Sequence, residues 1–246
     1  MPDRAAIVTG ASSGIGFAIA DLLGSEGHAL TIAARRPEKL EEAHAQLAAK
    51  GYDVQQVAGN LGAEDDIKRV VDAHRDAYGR CDVLVNNAGV GIGELIGDLT
   101  TKKLDIQINT NFRSIPLFYR EAIDMLKAAG EEHRNALVVN TSSISGKRGE
   151  AWLSVYSATK HAVIGFTQAM NKELGQAGIK STALAPGFVD TPMTDFVKQH
   201  VPAETMITTQ DLAEAVRFLL HTSPGCVIPE IMFEQPGGGP LEGVSL

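Results

Sequence analysis

Residues 4–23, RAAIVTGASSGIGFAIADLL, decide the fold. RAAIVT (4–9) is a short apolar run of the kind that forms a buried strand, and the turn Gly10-Ala11-Ser12-Ser13-Gly14-Ile15-Gly16 follows at once. From Ile15 to about Glu26 the apolar positions Ile15, Ala18, Ile19, Leu22 and Leu23 recur at helical spacing. A glycine-rich turn between a strand and a helix brings backbone N–H groups and a helix dipole to one point, which suits a phosphate. Gly10 permits the tight turn, and Gly14 and Gly16 keep side chains out of the approach to a pyrophosphate. The spacing Gly10-x-x-x-Gly14-x-Gly16 differs from the Gly-x-Gly-x-x-Gly of ordinary dinucleotide folds.

The same alternation continues outward. Strands are expected at about 29–34, 53–58, 82–85, from Val138, at 179–183 and at 230–233. Helices are expected from Pro37 to about Lys50, then at 64–78, 101–127, 155–174 and 209–221. Pro116 is expected to distort the long helix, whose apolar middle holds Asn109 and Asn111. The helix at 155–174 carries small residues, Ala158, Ala162, Gly165 and Ala169, suited to close packing within the subunit or against a second one. Residues 191–208, with Pro192 and Pro202, are irregular and read as a lid. Strand and helix alternate without a linker or repeat. The expectation is α/β: one domain over residues 1–246, a doubly wound parallel sheet of about seven strands with helices on both faces.

Composition narrows the partners. A net charge of −8 argues against a nucleic-acid or anionic-membrane surface as the main partner. The opening MPDR runs directly into AAIV, without the apolar segment of a signal peptide, so a cytoplasmic location is expected. Cys81 and Cys226 form no CxxC pattern and are each expected to be small buried hydrophobes; no metal site is expected.

The cofactor is read at the ends of the strands. Where an acidic side chain would bind the two ribose hydroxyls of NAD, the second strand ends in Ala34, followed by Arg35 and Arg36. Guanidinium groups match phosphate oxygens in charge and geometry, so NADP(H) is expected, with Arg35 as the main anchor of the 2′-phosphate. Asn60 and Leu61 follow the third strand. The fourth ends in Asn86-Asn87-Ala88-Gly89, where the amides are expected to fix the strand end and Ala88 and Gly89 to leave room for a ribose.

The chemistry is read in VVNTSSISGKRGEAWLSVYSATK, residues 138–160. Tyr156 and Lys160 share one helical face, and Ser143 lies at the mouth of a strand that runs to the same place. A nearby ammonium favours phenolate and would pull the phenol from its usual pKa near 10 toward the working range. A serine hydroxyl on the same substrate oxygen would stabilise charge developing there. Four tyrosines and eleven lysines yield such a pair by chance in roughly one chain of this length in five, so context decides.

Five motifs in order supply that context, and through them the chain resembles the short-chain dehydrogenases/reductases over nearly its whole length. They are Thr9-Gly10-x-x-x-Gly14-x-Gly16, Asn86-Asn87-Ala88-Gly89, Asn111, Ser143 with Tyr156-x-x-x-Lys160, and Pro186-Gly187-Phe188-Val189-Asp190-Thr191. The resemblance implies hydride transfer between a nicotinamide and a carbonyl or secondary alcohol. It implies that Tyr156 is the general acid/base, that Lys160 tunes it and holds ribose hydroxyls, and that Ser143 binds the carbonyl oxygen. Asn111 would hold a water, Thr191 would contact the carboxamide, and Gly10, Ser12, Ser13, Ile15 and Gly16 would surround the phosphates. Pro186, Gly187 and Val189 would lie on the nicotinamide side. A homodimer or homotetramer is implied as well. Asn60 stands where the family often has Asp, and Ser114 where it often has Gly.

The substrate is expected to be a small carbonyl or alcohol facing Ile92, Glu94, Ser145, Glu150, Trp152, Phe188 and Met193. Two other readings compete: a catalytically silent NADP(H)-binding regulator, and epimerisation or dehydration on the same scaffold. The set Ser143, Tyr156, Lys160 and Asn111 argues against the first, because a pure binder has no use for a matched acid and its tuning ammonium.

Overall fold

A sheet covered on both faces needs strands that are apolar in both directions, and the strands here meet that demand. The computed structural model describes residues 2–236, so the end of the glycine-rich tail lies outside the described residues. Seven strands form one sheet: β1 (Ala5–Thr9), β2 (Ala29–Ala34), β3 (Val54–Ala58), β4 (Val83–Asn86), β5 (Ala136–Thr141), β6 (Ile179–Pro186) and β7 (Glu230–Phe233). They are parallel throughout, in the order β3-β2-β1-β4-β5-β6-β7. The chain winds one way from β1 and then the other, so a crevice opens beyond the carboxyl ends of β1 and β4.

Alternate residues of each strand feed two cores. Ile7, Leu84 and Val138 face α3 (Glu64–Tyr78), α5 (Ser114–His133) and α6 (Ser154–Leu174). Their neighbours Ala6, Val8, Val83, Val85, Leu137 and Val139 face α1 (Gly14–Ser25), α2 (Pro37–Ala49) and α7 (Thr209–Leu220). Each fully buried Leu or Ile stabilises the fold by about 1.5–3 kcal/mol relative to exposure. The expected sheet and its two helical layers are both present.

Three local features differ from expectation. The long helix is α4 (Thr101–Ile108), a π-helical turn (Asn109–Arg113) and then α5, which runs on to His133. Pro116 cannot donate to the Phe112 carbonyl and its ring crowds that carbonyl, so the ladder shifts register in the turn before it. Ser114 reinforces the shift: its N–H reaches back to the Asn109 carbonyl and its hydroxyl donates to the Thr110 carbonyl at 2.8 Å. Second, β6 continues to Pro186, where a missing N–H interrupts only the end of the ladder. Third, Cys81 is buried but Cys226 is exposed, because it lies on the connection between α7 and β7 instead of in a strand.

The segment expected to be a lid is pinned at its base. Val189 pairs with Ile207, with Asp190 N–H donating to the Ile207 carbonyl and Ile207 N–H to the Phe188 carbonyl, each at 2.9 Å. Between these residues lie 3-10 turns at Pro192–Val197 and Ala203–Thr205, packed around buried Val197, Val201 and Met206. No helix among the described residues is long and apolar enough to cross a membrane.

One buried group makes stability depend on pH. His74 is fully buried between the Thr31 hydroxyl (Nδ1, 2.7 Å) and the Arg80 carbonyl (Nε2, 2.8 Å), and burial lowers its pKa from 6.5 to about 4. The unfolded chain therefore takes up this proton first. The contribution is complete above pH 6.5 and is lost as pH falls toward 4, a difference of about 3 kcal/mol. Thermal melts from pH 7 to pH 4.5 are expected to fall less steeply for His74→Gln than for the parent, whatever their offset. Parallel slopes would show that His74 is not the group responsible.

Candidate active site

The glycine turn is tight because its three glycine positions accommodate no side chain. Gly10 and Gly14 have φ of +66° and +58°, in the left-handed region that favours glycine. A Cβ on Gly16 would lie 2.4 Å from the Gly10 carbonyl oxygen and 2.5 Å from Asn87 Nδ2. Ser13 precedes α1 without capping it through its side chain, and the first turn of α1 contains no acid. The helix therefore presents uncapped N–H groups and its positive end to the crevice. Ser12 and Ser13 lie on the open side of the turn, partly buried and exposed. The Ile15 side chain instead packs with Val189, Ile207 and Leu212 at the base of the 190–206 segment.

Thr9 and Asn87 join three strand ends. The Thr9 hydroxyl donates to the Val85 carbonyl and accepts from the N–H groups of Asn87 and Ala88, at 2.9–3.1 Å. Asn87 Nδ2 donates to the Thr9 carbonyl at 3.1 Å, and its Oδ1 accepts from the Thr141 hydroxyl at 3.2 Å. Asn86 donates to Asn140 Oδ1 at 2.9 Å, and Asn140 donates to Tyr119 and Thr167. The asparagine pair thus ties β4 to β1 and β5, the structural role expected of it. Thr9, Thr141 and Asn140 had no role assigned from the sequence, because only the parallel pairing shows which strand ends adjoin.

Ser143, Tyr156, Lys160 and Asn111 converge at this edge. Ser143 precedes the short turn Ile144–Gly146 and accepts the Ser145 N–H at 3.2 Å. Tyr156 and Lys160 lie one turn apart near the start of α6, with Lys160 Nζ 5.6 Å from the centre of the tyrosine ring. Nζ donates to the Thr141 carbonyl at 2.7 Å. No carboxylate among the described residues pairs with it, and burial lowers its pKa to about 8. Burial raises the Tyr156 phenol above 10, and a hydrogen bond with Ser143 offsets part of that rise. Desolvation of the hydroxyl thus opposes the pull toward phenolate expected of the neighbouring ammonium.

Asn111, in the π turn, is bound by its amide. Its Oδ1 accepts the Val90 N–H at 2.7 Å, and its Nδ2 donates to the Val90 carbonyl at 2.9 Å and to Thr159 at 3.3 Å. It fixes the loop after β4 to the helix, and its Oδ1 keeps a second lone pair. Gly89 lies between them, since a Cβ there would be 3.4 Å from Asn111 Oδ1 and 3.7 Å from Lys160 Nζ.

The remaining residues divide. Arg35 and Arg36 are exposed at the end of β2, and among the described residues neither side chain has an ion-pair or hydrogen-bond partner. Asn60 is exposed nearby, its N–H donating to Asp66 at 2.6 Å, while the Leu61 side chain is in the core. Pro186 and Gly187 end β6 beside Phe233. Thr191 lies against the glycine turn, 3.1 Å from where a Gly14 Cβ would be. Ser145 is buried beside Ser143, and Phe188 packs inward on Val197, Val201 and Met206. Trp152 and Met193 lie at the mouth, whereas Glu150 pairs with Arg148 at 3.0 Å and Glu94 with Lys103.

Residues 4–202 match the family model described as short chain dehydrogenase. A putative ketoacyl reductase of the monensin polyketide synthase from Streptomyces virginiae is 38% identical over 201 residues, covering 81% of this chain and 76% of that protein. Two solved structures superpose closely. A variant of the actinorhodin polyketide ketoreductase with NADPH gives a TM-score of 0.84 at 32% identity, with 94% and 95% of the chains covered. A short chain dehydrogenase from Burkholderia cenocepacia in complex with NADP gives 0.85 at 28%, with 96% and 97% covered.

Proposed function

The chain belongs to the short-chain dehydrogenase/reductase family, and on that premise we propose that it reduces a substrate carbonyl with NADPH, Tyr156 being the proton donor. It is an oxidoreductase acting on CH–OH groups, and NADP(H) is its cofactor. The residues present suit that cofactor. Gly10, Gly14 and Gly16 leave no room for side chains at their own positions, α1 opens on the turn uncapped, and two unpaired guanidinium groups stand at the end of β2 where the sequence reading puts a 2′-phosphate. Arg35 and Arg36 would hold that phosphate, Gly10, Ser12, Ser13, Gly14, Ile15 and Gly16 the pyrophosphate, and Asn60 and Leu61 the adenine. Asn87, Ala88 and Gly89 would line the adjoining ribose. Pro186, Gly187, Val189 and Thr191 would flank the nicotinamide. When bound, NADPH supplies the hydride.

The observation that carries the reading is the meeting of a protonated phenol, a serine hydroxyl and a carboxylate-free ammonium at the β1/β4/β5 edge. Tyr156, held as phenol, gives its proton to the substrate oxygen as that oxygen becomes an alcohol. Ser143 donates a hydrogen bond to the same oxygen and stabilises charge there before the proton arrives. Lys160, charged below about pH 8, stabilises the phenolate left on Tyr156 as its proton leaves, and would hold ribose hydroxyls. Asn111 acts through Val90, keeping the loop after β4 against the π turn. Residues 191–208 act as the lid over the site, within one domain spanning residues 1–246. A cytoplasmic homodimer or homotetramer goes with this reading; the small residues Ala158, Gly165 and Ala169 face outward from α6 and leave room for a close neighbour, which gel filtration tests.

Replacing Tyr156 by Phe is expected to lower kcat for ketone reduction by about 10²–10⁴-fold while NADPH affinity stays within about threefold. Retained turnover, read as loss of reduced-nicotinamide absorbance, would remove Tyr156 as donor. Arg35→Ala is expected to weaken NADPH by about tenfold or more and NADH little, because a charge-assisted phosphate contact is lost. Equal losses would show that Arg35 does not read the phosphate. A substrate turned over without net use of NADPH would point to epimerisation or dehydration instead.

A further inference from the structure

Trp152, the only tryptophan in the chain, stands four residues before Tyr156 with φ of +68°, a conformation rarely taken by a bulky side chain. What holds it there is local. The Trp152 carbonyl accepts the Glu94 N–H at 2.8 Å, and the indole lies on bare backbone at Gly93, where a Cβ would be 2.2 Å from the ring. On its other side the indole meets Phe196, with ring centres 6.1 Å apart and planes at 58°. The strained residue thus sets an aromatic surface between the loop after β4 and the Pro192–Val197 turn.

The surroundings are largely apolar, and among the described residues Asp98 is the one carboxylate of these two segments without an ion-pair partner. Four of the eight large apolar side chains that are exposed among the described residues, Leu95, Ile96, Met193 and Phe196, lie on those two segments. Phe196 is 56% exposed although it touches an indole, so the pair is open to a third partner. Of the other acids here, Glu94 pairs with Lys103, Glu150 with Arg148, and Asp190 and Asp195 with Lys198. A mouth of this kind has little with which to attract an ammonium or a polyol. Flat rings gain from both area and edge or face contact with Trp and Phe.

Resting on the reductase reading above, we propose that this mouth selects ketones that carry a flat aromatic body, with Trp152 as the platform and Phe196 as the opposing edge. Both are specificity residues, outside the proton-transfer set. Gly93 belongs to the same device, because any side chain there would displace the indole.

The test compares 2-acetylnaphthalene with 2-butanone. The parent enzyme is expected to favour the aryl ketone in kcat/KM by at least about tenfold. Trp152→Gly, which can adopt the same backbone, and Phe196→Ala are each expected to reduce that ratio several-fold. In parallel, the emission of Trp152 should be quenched saturably by 2-acetylnaphthalene, corrected for absorption with a free tryptophan analogue, and unaffected by 2-butanone. Turnover without an aryl preference, or a preference that survives Trp152→Gly, would overturn the inference and leave the reductase standing. Saturable quenching with no reduction of any ketone would sustain the platform and defeat the reductase. Absence of saturable quenching would overturn the platform whatever the turnover.

Discussion

A buried ammonium with no carboxylate beside it is an expensive thing to fold around, and this one lies at the centre of the site. Lys160 is 4% exposed, has the Thr141 carbonyl as its acceptor at 2.7 Å, and is lowered to about 8 by burial alone. Its main chain is held just as closely. The Ser142 hydroxyl donates to the Lys160 carbonyl at 2.8 Å, and Gly146 is glycine where a Cβ would come within 2.7 Å of the same oxygen. The charge is thus held by its position on α6 and by the end of β5, and both must be right.

Much of the polar interior serves that placement. Asn140 on β5 is anchored to Asn86, Tyr119 and Thr167, and Tyr119 passes the chain of bonds to Ser181 on β6 at 2.9 Å. One residue further along β5, Thr141 bonds Asn87 with its side chain and Lys160 with its carbonyl. Thr9 then connects Asn87 and Ala88 to β1. The glycine turn and the ammonium are therefore positioned by one bonded path across β1, β4 and β5. Buried networks of this sort give rigidity and a defined register to strand ends that hydrophobic packing alone would leave loose, and here Asn86 Oδ1 is the one member atom left without a partner among the described residues.

Much of this was legible in the sequence, because the deciding signals are local. A strand, a glycine turn and a helical repeat adjoin within residues 4–23, and the spacing of Tyr156 and Lys160 is that of one helical turn. What was not legible depends on groups distant in sequence or on backbone detail. The π turn at Asn109–Arg113 follows from Pro116 and Ser114 acting together, where the sequence indicated only a distortion. The pairing of Glu94 with Lys103 and of Glu150 with Arg148 is likewise not visible from residue type. Phe188 turned out to pack under the 190–206 segment, and Trp152 to adopt a left-handed backbone, neither of which residue type reveals. The direction of the Tyr156 shift also depends on burial, which a four-residue spacing does not report.

The most direct measurement is the ionisation of Lys160 itself, followed by NMR of 13C-labelled lysine side chains across pH 6–11, with its signal assigned by its loss in Lys160→Arg. The account predicts a midpoint at about 8 for this lysine, well separated from the exposed lysines near their ordinary value of about 10.4. A Lys160 midpoint among those of the exposed lysines would contradict it, since the ammonium would then not be desolvated as its burial at the end of β5 requires.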